Sequence, residues 1–366
     1  MGLSYLVYPG AHHTRFHHAL GSMHLMTRAL QVLRLKEVEI SAQEENGLLC
    51  AILLHDMGHG PFSHALEGEL VQGRSHEKLS LQFMQALNGE FNGQLDLAIS
   101  IFKGEYHKPF MNQLVAGQLD MDRLDYLKRD SFYSGVTEGN INSERLISML
   151  NVVDGQLVVE EKGIYAVEKF LMARRFMYWQ VYLHKTGLAA EQLMVRLIQR
   201  AKSLLAQGET LSGSGPLLHF LKQQTAMEST QRTLEIFAQL DDVDILSAIK
   251  AWRFHKDFVL SKLCGMLLDR KLLHIKLKKR PTDPQKLNKM LEEIIEKYEL
   301  SRPEASNFVF SGEVSNKAYS QEQEPINILK KNGKITDVLK ESDQLSLKAL
   351  SKNAIKYYSC YPKEAV

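Results

Sequence analysis

Features that mark secreted or membrane proteins are scarce in this sequence. Its 366 residues include three cysteines, Cys50, Cys264 and Cys360, which lie far apart and form no CxxC pair. An odd number of isolated cysteines predicts neither a disulfide framework nor a thiolate metal site, and a reducing compartment fits best. The longest uninterrupted apolar run, Leu48 to Leu54, is far shorter than the ~20 residues of a membrane helix. We therefore expect a cytoplasmic protein without a membrane partner.

A large excess of charge of either sign is also absent. The formal net charge is +2, hydrophobic residues make up 44% of the chain and charged residues 24%. This balance is typical of an ordinary globular protein, and the length allows about two domains. Nucleic acid is not indicated as a partner, although a local basic pocket is compatible with this charge.

Hydrophobic spacing predicts two helices at the start of the chain. Apolar residues of the first helix recur near helical spacing at Phe16, Leu20, Met23, Leu30 and Leu33. The second helix begins at a capping-box pair, Ser41 and Glu44, and delivers His55 and Asp56 in its last turn. A histidine and an aspartate therefore lie together at the end of a helix.

A third helix is predicted over roughly residues 112–130. It places Asp122, Tyr126 and Arg129 on one face at spacings of four and three residues, with Asp130 beside them. Polar groups along one stripe of a helix indicate a cleft.

The pattern changes near residue 150. Two short β-branched runs flank Asp154-Gly155, which is a strong hairpin signal, and long helices are expected to about residue 275. Beyond Pro284 a helix is predicted over 287–298, followed by strand-like pieces at 308–310 and 326–329 and a turn at Asn332-Gly333. We predict a mainly α fold in three segments: a helical core over 1–135, a helical extension over 136–280 with a hairpin near 150–166, and a small α+β lobe over 281–366.

Histidine and aspartate are concentrated in three separated pieces of the chain, 15–18, 55–64 and 120–126. Imidazole and carboxylate suit a borderline divalent metal, and a set that leaves positions open for water suits metal-assisted hydrolysis. A single His-Asp dipeptide would be weak evidence, but His59 and His64 follow within nine residues in a turn rich in glycine and proline. This grouping favours a metal site over solvated helix ends.

These pieces resemble the motifs of the HD-domain phosphohydrolases, and more narrowly those of the deoxynucleoside triphosphate triphosphohydrolases of the SAM and HD domain-containing type. Residues 8–11 leading to 15–21 resemble the first histidine motif, and residues 54–64 are nearly identical to the family's His-Asp motif. Residues 120–126, with Arg129 and Asp130, resemble the final aspartate helix. The similarity covers about the first 200 residues well, and it implies that the helical core is an HD domain.

The resemblance implies a role for each matching residue. The metal ligands would be His18, His55, Asp56 and Asp122. The acid–base residues beside the α-phosphate would be His59, His64, His76 and Glu77. Phosphates would be held by Arg15, Arg123, Arg174 and Lys185, and the sugar would be contacted by Tyr126, Tyr182 and Asp130. The sequence does not choose among iron, manganese, zinc, nickel and magnesium.

Several acidic and histidine residues compete for these roles. On charge alone Asp120 and Asp125 are alternatives to Asp122, and we expect both to be exposed or to lie behind the ligands. His12, His13 and His17 match no ligand position and are expected to be exposed or behind the ligands as well. Glu67 stands where the family often has aspartate, so its role is left open.

Two further expectations come from the resemblance. The family has several tens of residues before its Tyr-Pro-Gly segment, which here begins at Tyr8, so an abbreviated N-terminus without the family's sugar-contacting glutamine is expected to weaken sugar selectivity. Similar enzymes assemble as dimers or larger oligomers. The basic run 276–280 is compatible with an allosteric nucleotide, and equally with a solvated strand.

The leading hypothesis is metal-dependent hydrolysis of deoxynucleoside triphosphates to deoxynucleoside and triphosphate. One alternative keeps the metal but changes the substrate to another nucleotide or phosphate ester, for which Arg123, Arg174 and Lys185 would not all matter. The other is a nucleotide-binding regulatory oligomer with weak turnover, which would bind nucleotide tightly and release no product.

Overall fold

The computed structural model describes residues 1–71, 73–223, 230–316, 319, 325–343 and 353–363. Helices dominate these ranges, which confirms the mainly α prediction. The first eight are α1 (Arg15–Leu35), α2 (Ala42–Leu54), α3 (His76–Glu90), α4 (Asp96–Phe102), α5 (Pro109–Ala116), α6 (Met121–Ser134), α7 (Ser143–Ser148) and α8 (Ile164–Met177). A π-helical turn, Tyr178–Tyr182, continues α8. The others are α9 (Lys185–Ala206), α10 (Gly215–Lys222), α11 (Gln231–Phe237), α12 (Asp242–Trp252), α13 (Phe258–Leu268), α14 (Pro284–Tyr298), α15 (Arg302–Ala305) and α16 (Val338–Glu341).

Two small sheets accompany the helices. Their strands are β1 (Leu150–Val153), β2 (Gln156–Glu160), β3 (His274–Lys278), β4 (Phe310–Asn316), β5 (Asn327–Leu329), β6 (Ile335–Asp337) and β7 (Ala354–Tyr361). One sheet has the order β1-β2-β5-β6 and the other β3-β7-β4. Only the β2–β5 pair is parallel among the described strands.

The predicted hairpin is confirmed. Strands β1 and β2 pair antiparallel, with Val153 opposite Gln156. The two turn residues both have positive φ, 51° at Asp154 and 73° at Gly155. This is the backbone of the tight turn that Asp-Gly favours, because its twist matches that of the paired strands.

The prediction of one helix over 112–130 is wrong, because the chain forms α5 and α6 with a break between them. At Gly117 an added Cβ would lie 2.4 Å from the carbonyl oxygen of Gln113, so only glycine permits this exit from α5. Asp120 then caps α6 by accepting a hydrogen bond from the Arg123 amide at 2.7 Å. The break places Asp122 in the first turn of a new helix.

The predicted apolar face of α1 is only partly correct. Leu30 and Leu33 are buried, but Phe16 is 67% exposed and Leu20 39% exposed. The first turns of α1 instead bury His18 and Ser22 together with Ala19. The strand expected at 308–310 begins only at Phe310.

Buried side chains form two clusters. One lies among α1, α2, α5, α6 and α8, and it includes residues of β5. The other lies around α9, α12 and α13, and it includes residues of β3, β4 and β7. The division into segments 1–135, 136–280 and 281–366 stays a prediction. Within the described ranges, none of the helices combines the length and the apolar character needed to cross a lipid bilayer.

Candidate metal centre and active site

Four side chains converge at one point: His18 from α1, Asp122 from α6, and His55 and Asp56, which directly follow α2 and do not lie in its last turn as predicted. The Nε2 atoms of His18 and His55 lie 3.0 and 3.5 Å from Asp122 Oδ1. The same two nitrogens lie 3.9 and 3.6 Å from carboxylate oxygens of Asp56. Because α1 packs against both α2 and α6, residues more than a hundred positions apart meet here. The structure therefore brings together all four residues that were expected to bind the metal.

The ring of His55 is held in the orientation that a metal ligand needs. Its Nδ1 donates to the carbonyl oxygen of Ile52 at 2.6 Å, which leaves the lone pair on Nε2. That Nε2 atom is buried and has no hydrogen-bond partner among the described residues. A buried imidazole nitrogen without a partner is costly unless a cation occupies its lone pair. The residues present therefore fit a divalent metal.

Asp125 orients the other imidazole from behind. Its Oδ2 lies 2.7 Å from His18 Nδ1, and Arg129 binds both carboxylate oxygens at 2.8 and 2.9 Å. Space for this pair depends on Gly21, where an added Cβ would lie 2.0 Å from Asp125 Oδ1. A carboxylate behind a metal-binding histidine fixes its tautomer. Asp125 thus lies behind the ligands, and it is buried.

The electrostatics of the site favour positive charge. Burial alone would lower the pKa of His18, but hydrogen bonds to Asp122 and Asp125 raise it to about 10. Burial would raise the pKa of Asp56, yet His59, His55 and Arg15 hold it well below its ordinary value. The carboxylates thus create a negative potential that attracts a cation.

Three histidines form a second layer beside the ligands. The ring centroids of His59 and His76 are 3.9 Å apart, and that of His64 lies 4.9 and 5.2 Å from them. Glu67 bridges two of the rings, with its oxygens 2.9 Å from His64 Nδ1 and 2.8 Å from His76 Nδ1. Burial would raise the pKa of Glu67, but these hydrogen bonds and that of the His76 amide lower it to about 2. The sequence left the role of Glu67 open, and the structure makes it the link between two histidines.

Exposure differs widely among the predicted acid–base residues. The side chain of His59 is 3% exposed, and burial lowers its pKa. His64 is 70% exposed, and Glu77 lies at the rim with Oε1 3.4 Å from His76 Nε2. A buried neutral imidazole next to an exposed one suits transfer of a proton between the site and solvent.

The loop that carries these histidines is packed tightly. The Gly58 amide donates to Ser80 Oγ at 2.9 Å, and an added Cβ at Gly58 would lie 2.2 Å from the His76 carbonyl oxygen. The Phe62 amide donates to Asp242 Oδ1 at 2.7 Å. Sequence reasoning missed both residues: Ser80 lies one turn after His76 but matches no motif, and Asp242 lies far along the chain from every motif.

The predicted phosphate-binding residues differ in their present contacts. Arg15 pairs with Asp56 and donates to Ser63 Oγ at 3.1 Å, so it lies beside the metal ligands. Arg123 pairs with the fully buried Asp120. Burial raises the pKa of Asp120, and the charges of Arg123 and the nearby Arg174 oppose that rise. Burial lowers the pKa of His184, and the charge of Lys185, at the start of α9, lowers it further.

The predicted sugar-contacting residues lie together. Tyr182 donates to Asp130 Oδ2 at 2.7 Å, and the Tyr126 and Tyr182 rings are 6.2 Å apart. His13 Nε2 lies 2.7 Å from Asp130 Oδ1, and its ring stacks on Tyr133. The resemblance gave His13 no role, and the structure shows that it holds the Asp130 carboxylate.

The family follows from comparison with known sequence families. The profile of the HD domain matches residues 15–130, and that of the HD associated region matches residues 141–212. The first range begins and ends with the helices that carry His18 and Asp122. The chain belongs to the HD domain family. The resemblance to HD-domain phosphohydrolases is thereby confirmed.

The chain is also similar to individual known proteins and solved structures. The uncharacterized protein YwfO of Bacillus subtilis is 30% identical over 381 residues, covering all of this chain and 85% of its own length. The deoxynucleoside triphosphate triphosphohydrolase SAMHD1 homologue of Dictyostelium discoideum is 30% identical over 231 residues, which span 58% of this chain and 45% of that protein. Among solved structures, a phosphohydrolase from Bacteroides thetaiotaomicron has a TM-score of 0.94 at 48% identity, covering 98% of this chain and 90% of its own.

Proposed function

We propose that this HD-domain protein is a metal-dependent phosphohydrolase that converts deoxynucleoside triphosphates to deoxynucleoside and triphosphate. The observation that carries the proposal is the convergence of His18, His55, Asp56 and Asp122. Beside them lie three histidines, two of which are linked by Glu67. The similarity to the Dictyostelium triphosphohydrolase supports the choice of substrate.

The ligand set suits hydrolysis at phosphorus. A bound divalent cation would supply Lewis-acid chemistry and a more acidic water. His18 and His55 would hold it as neutral imidazoles, while two carboxylates balance its charge. The guanidinium of Arg15, next to Asp56, would contact phosphate oxygens.

The histidine layer would handle the proton. The leaving 5′ oxygen needs a proton as its bond to the α-phosphorus breaks, and imidazole titrates in the range for that transfer. Glu67 holds Nδ1 of His64 and of His76, so each presents Nε2 outward. His76, stacked on the buried His59, is our choice as the donor because it lies between the interior and solvent.

Preference for deoxyribose would come from the tyrosine cluster. Tyr126 and Tyr182 lie edge to face, and the hydroxyl of Tyr182 is held by Asp130. A rigid ring packed under the sugar leaves no room for a 2′-hydroxyl, while Asp130 can accept a hydrogen bond from the 3′-hydroxyl. A homo-oligomer, an allosteric nucleotide and a cytoplasmic location stay predictions.

The test is product analysis with metal-quantified protein. The four deoxynucleoside triphosphates and their ribose counterparts are incubated separately, and nucleoside, triphosphate and pyrophosphate are resolved. We expect triphosphate from the deoxy set and none from an Asp56→Ala variant. Release of pyrophosphate or orthophosphate would refute cleavage at the α-phosphorus.

One observation favours a second candidate, hydrolysis of a nucleotide with fewer phosphates. The guanidinium of Arg123 pairs with the buried Asp120 and donates to the Gly117 carbonyl, so it is already engaged. A monophosphate would not require Arg123 or Lys185. An Arg123→Lys variant that turns over a monophosphate as fast as the parent, with no triphosphate released from any substrate, would support this candidate.

A further inference from the structure

The three histidines of the second layer also have the chemistry of a metal-binding site. One ring nitrogen from each of His59, His64 and His76 lies within 4.8 Å of the others. None of the three belongs to the four-residue ligand set described above. Three imidazoles are a ligand set that suits a tetrahedral transition metal such as Zn²⁺.

Each ring is oriented by a partner on its Nδ1 side. Glu67 holds Nδ1 of His64 and of His76, and His59 Nδ1 lies 3.2 Å from the carbonyl oxygen of Asp56. The Nε2 atoms are therefore the ones left for a ligand. Such carboxylate and carbonyl partners are the usual second layer of histidine metal sites.

The buried member of the group needs a partner. His59 Nε2 is inaccessible to solvent and has no hydrogen-bond partner among the described residues. Its side chain is only 3% exposed, so water cannot satisfy it freely. A cation on this nitrogen would remove that cost.

Charge and mobility complete the site. Glu77 Oε1 lies 3.4 Å from His76 Nε2, where it can serve as a fourth ligand. Ligands at ~2.0–2.1 Å from a tetrahedral ion lie about 3.4 Å from each other. Because the three ring nitrogens lie within 4.8 Å of one another, they need to approach by at most about 1.4 Å. His64 is 70% exposed, and its side chain can rotate to do so.

We propose that His59, His64 and His76 bind a second transition-metal ion, separate from the first, and that this ion inhibits the enzyme. An ion on these nitrogens occupies the lone pairs that would carry the proton, so hydrolysis stops while the first site stays filled. The inhibition rests on the proposed function, whereas the binding does not.

Counting bound metal tests the binding without any turnover. Calorimetric titration of metal-free protein with Zn²⁺ should show about two equivalents in the parent chain and about one in His64→Ala, which keeps the first site. Asp122→Ala should also bind about one, and the double variant none. His24→Ala, which removes an exposed histidine of α1 outside both groups, should still bind about two.

The outcomes separate the two proposals. One equivalent in the parent, or the same second equivalent in His64→Ala, overturns the second site whatever the substrate is. Because His64 is exposed, its removal leaves the packing intact, and Glu67→Gln provides an independent check that should weaken only the second equivalent by about 10–100-fold. With a substrate in hand, turnover that persists as the second equivalent binds would overturn the inhibition.

Discussion

Replacing Asp125 with asparagine should weaken metal binding although Asp125 is not a ligand. The variant keeps the size of the side chain but removes the charge that faces His18 Nδ1 at 2.7 Å. A hydrogen bond to a charged group contributes about 1.5–3 kcal/mol when buried, and Asp125 is 7% exposed. Loss of a carboxylate behind a metal-binding histidine typically costs about 10–100-fold in affinity. We expect a loss in that range.

The assay concerns the first metal site, which is identified as the one bound equivalent that is lost in Asp122→Ala. Its affinity is measured by calorimetry in the parent and in Asp125→Asn, at a pH where both are folded. Some stability should also be lost, because Arg129 keeps only a neutral partner. That loss should be about 1–3 kcal/mol in urea unfolding.

A matched control separates stability from metal affinity. Arg200 holds Asp257 through a similar two-point contact between α9 and the start of α13, and neither residue contacts the candidate metal ligands. In Asp257→Asn the asparagine still caps α13, so only the charged contact with Arg200 is lost. The loss of stability should therefore be comparable with that of Asp125→Asn, and metal should bind as in the parent. Unchanged affinity in Asp125→Asn, or an equal loss in both variants, would refute the orienting role of Asp125.

Three further outcomes are expected. Gly58→Ala should lose at least about 2 kcal/mol of stability in urea unfolding, because its Cβ would overlap backbone atoms of α3; unchanged stability would contradict the packing. Burial would raise the pKa of Glu44, but Lys108 and other donors lower it to about 2. The ionised Glu44 carboxylate therefore stabilises the folded protein fully above its ordinary pKa, and this stabilisation is lost as the pH falls toward about 2. Glu44→Gln should therefore cost about 3 kcal/mol near neutral pH and little near about pH 2; a loss that does not depend on pH would count against this. Tyr182→Phe removes the hydroxyl that donates to Asp130 Oδ2 and should lower kcat/KM for the proposed deoxy substrates about tenfold. Equal rates in the two proteins would speak against the sugar contact.

Local signals in the sequence were enough for much of the secondary structure. Ser41 and Glu44 form the expected capping box, and Asp154-Gly155 forms the expected turn. Such signals succeed because they depend on residues within a few positions of each other. The predicted single helix over 112–130 failed because apolar spacing continues across Gly117, while the break depends on a close contact with the Gln113 carbonyl.

The chemical type of the centre was likewise available from the sequence. Histidine and aspartate in three separated pieces predicted a metal site, and the motifs predicted the HD domain family, which is confirmed. The candidate ligands His18, His55, Asp56 and Asp122 converge as expected. Residue type alone carries this information, because few side chains can bind a divalent metal.

The arrangement around the ligands was decided only by tertiary structure. Asp120, Asp122 and Asp125 are equal in charge, yet one caps α6, one faces both imidazoles and one lies behind His18. Glu67 became a bridge between two histidines for the same reason, because the loop and α3 pack together there. Helical spacing tells which residues share a face, but the packing of α1 against α6 decides which carboxylate reaches which nitrogen.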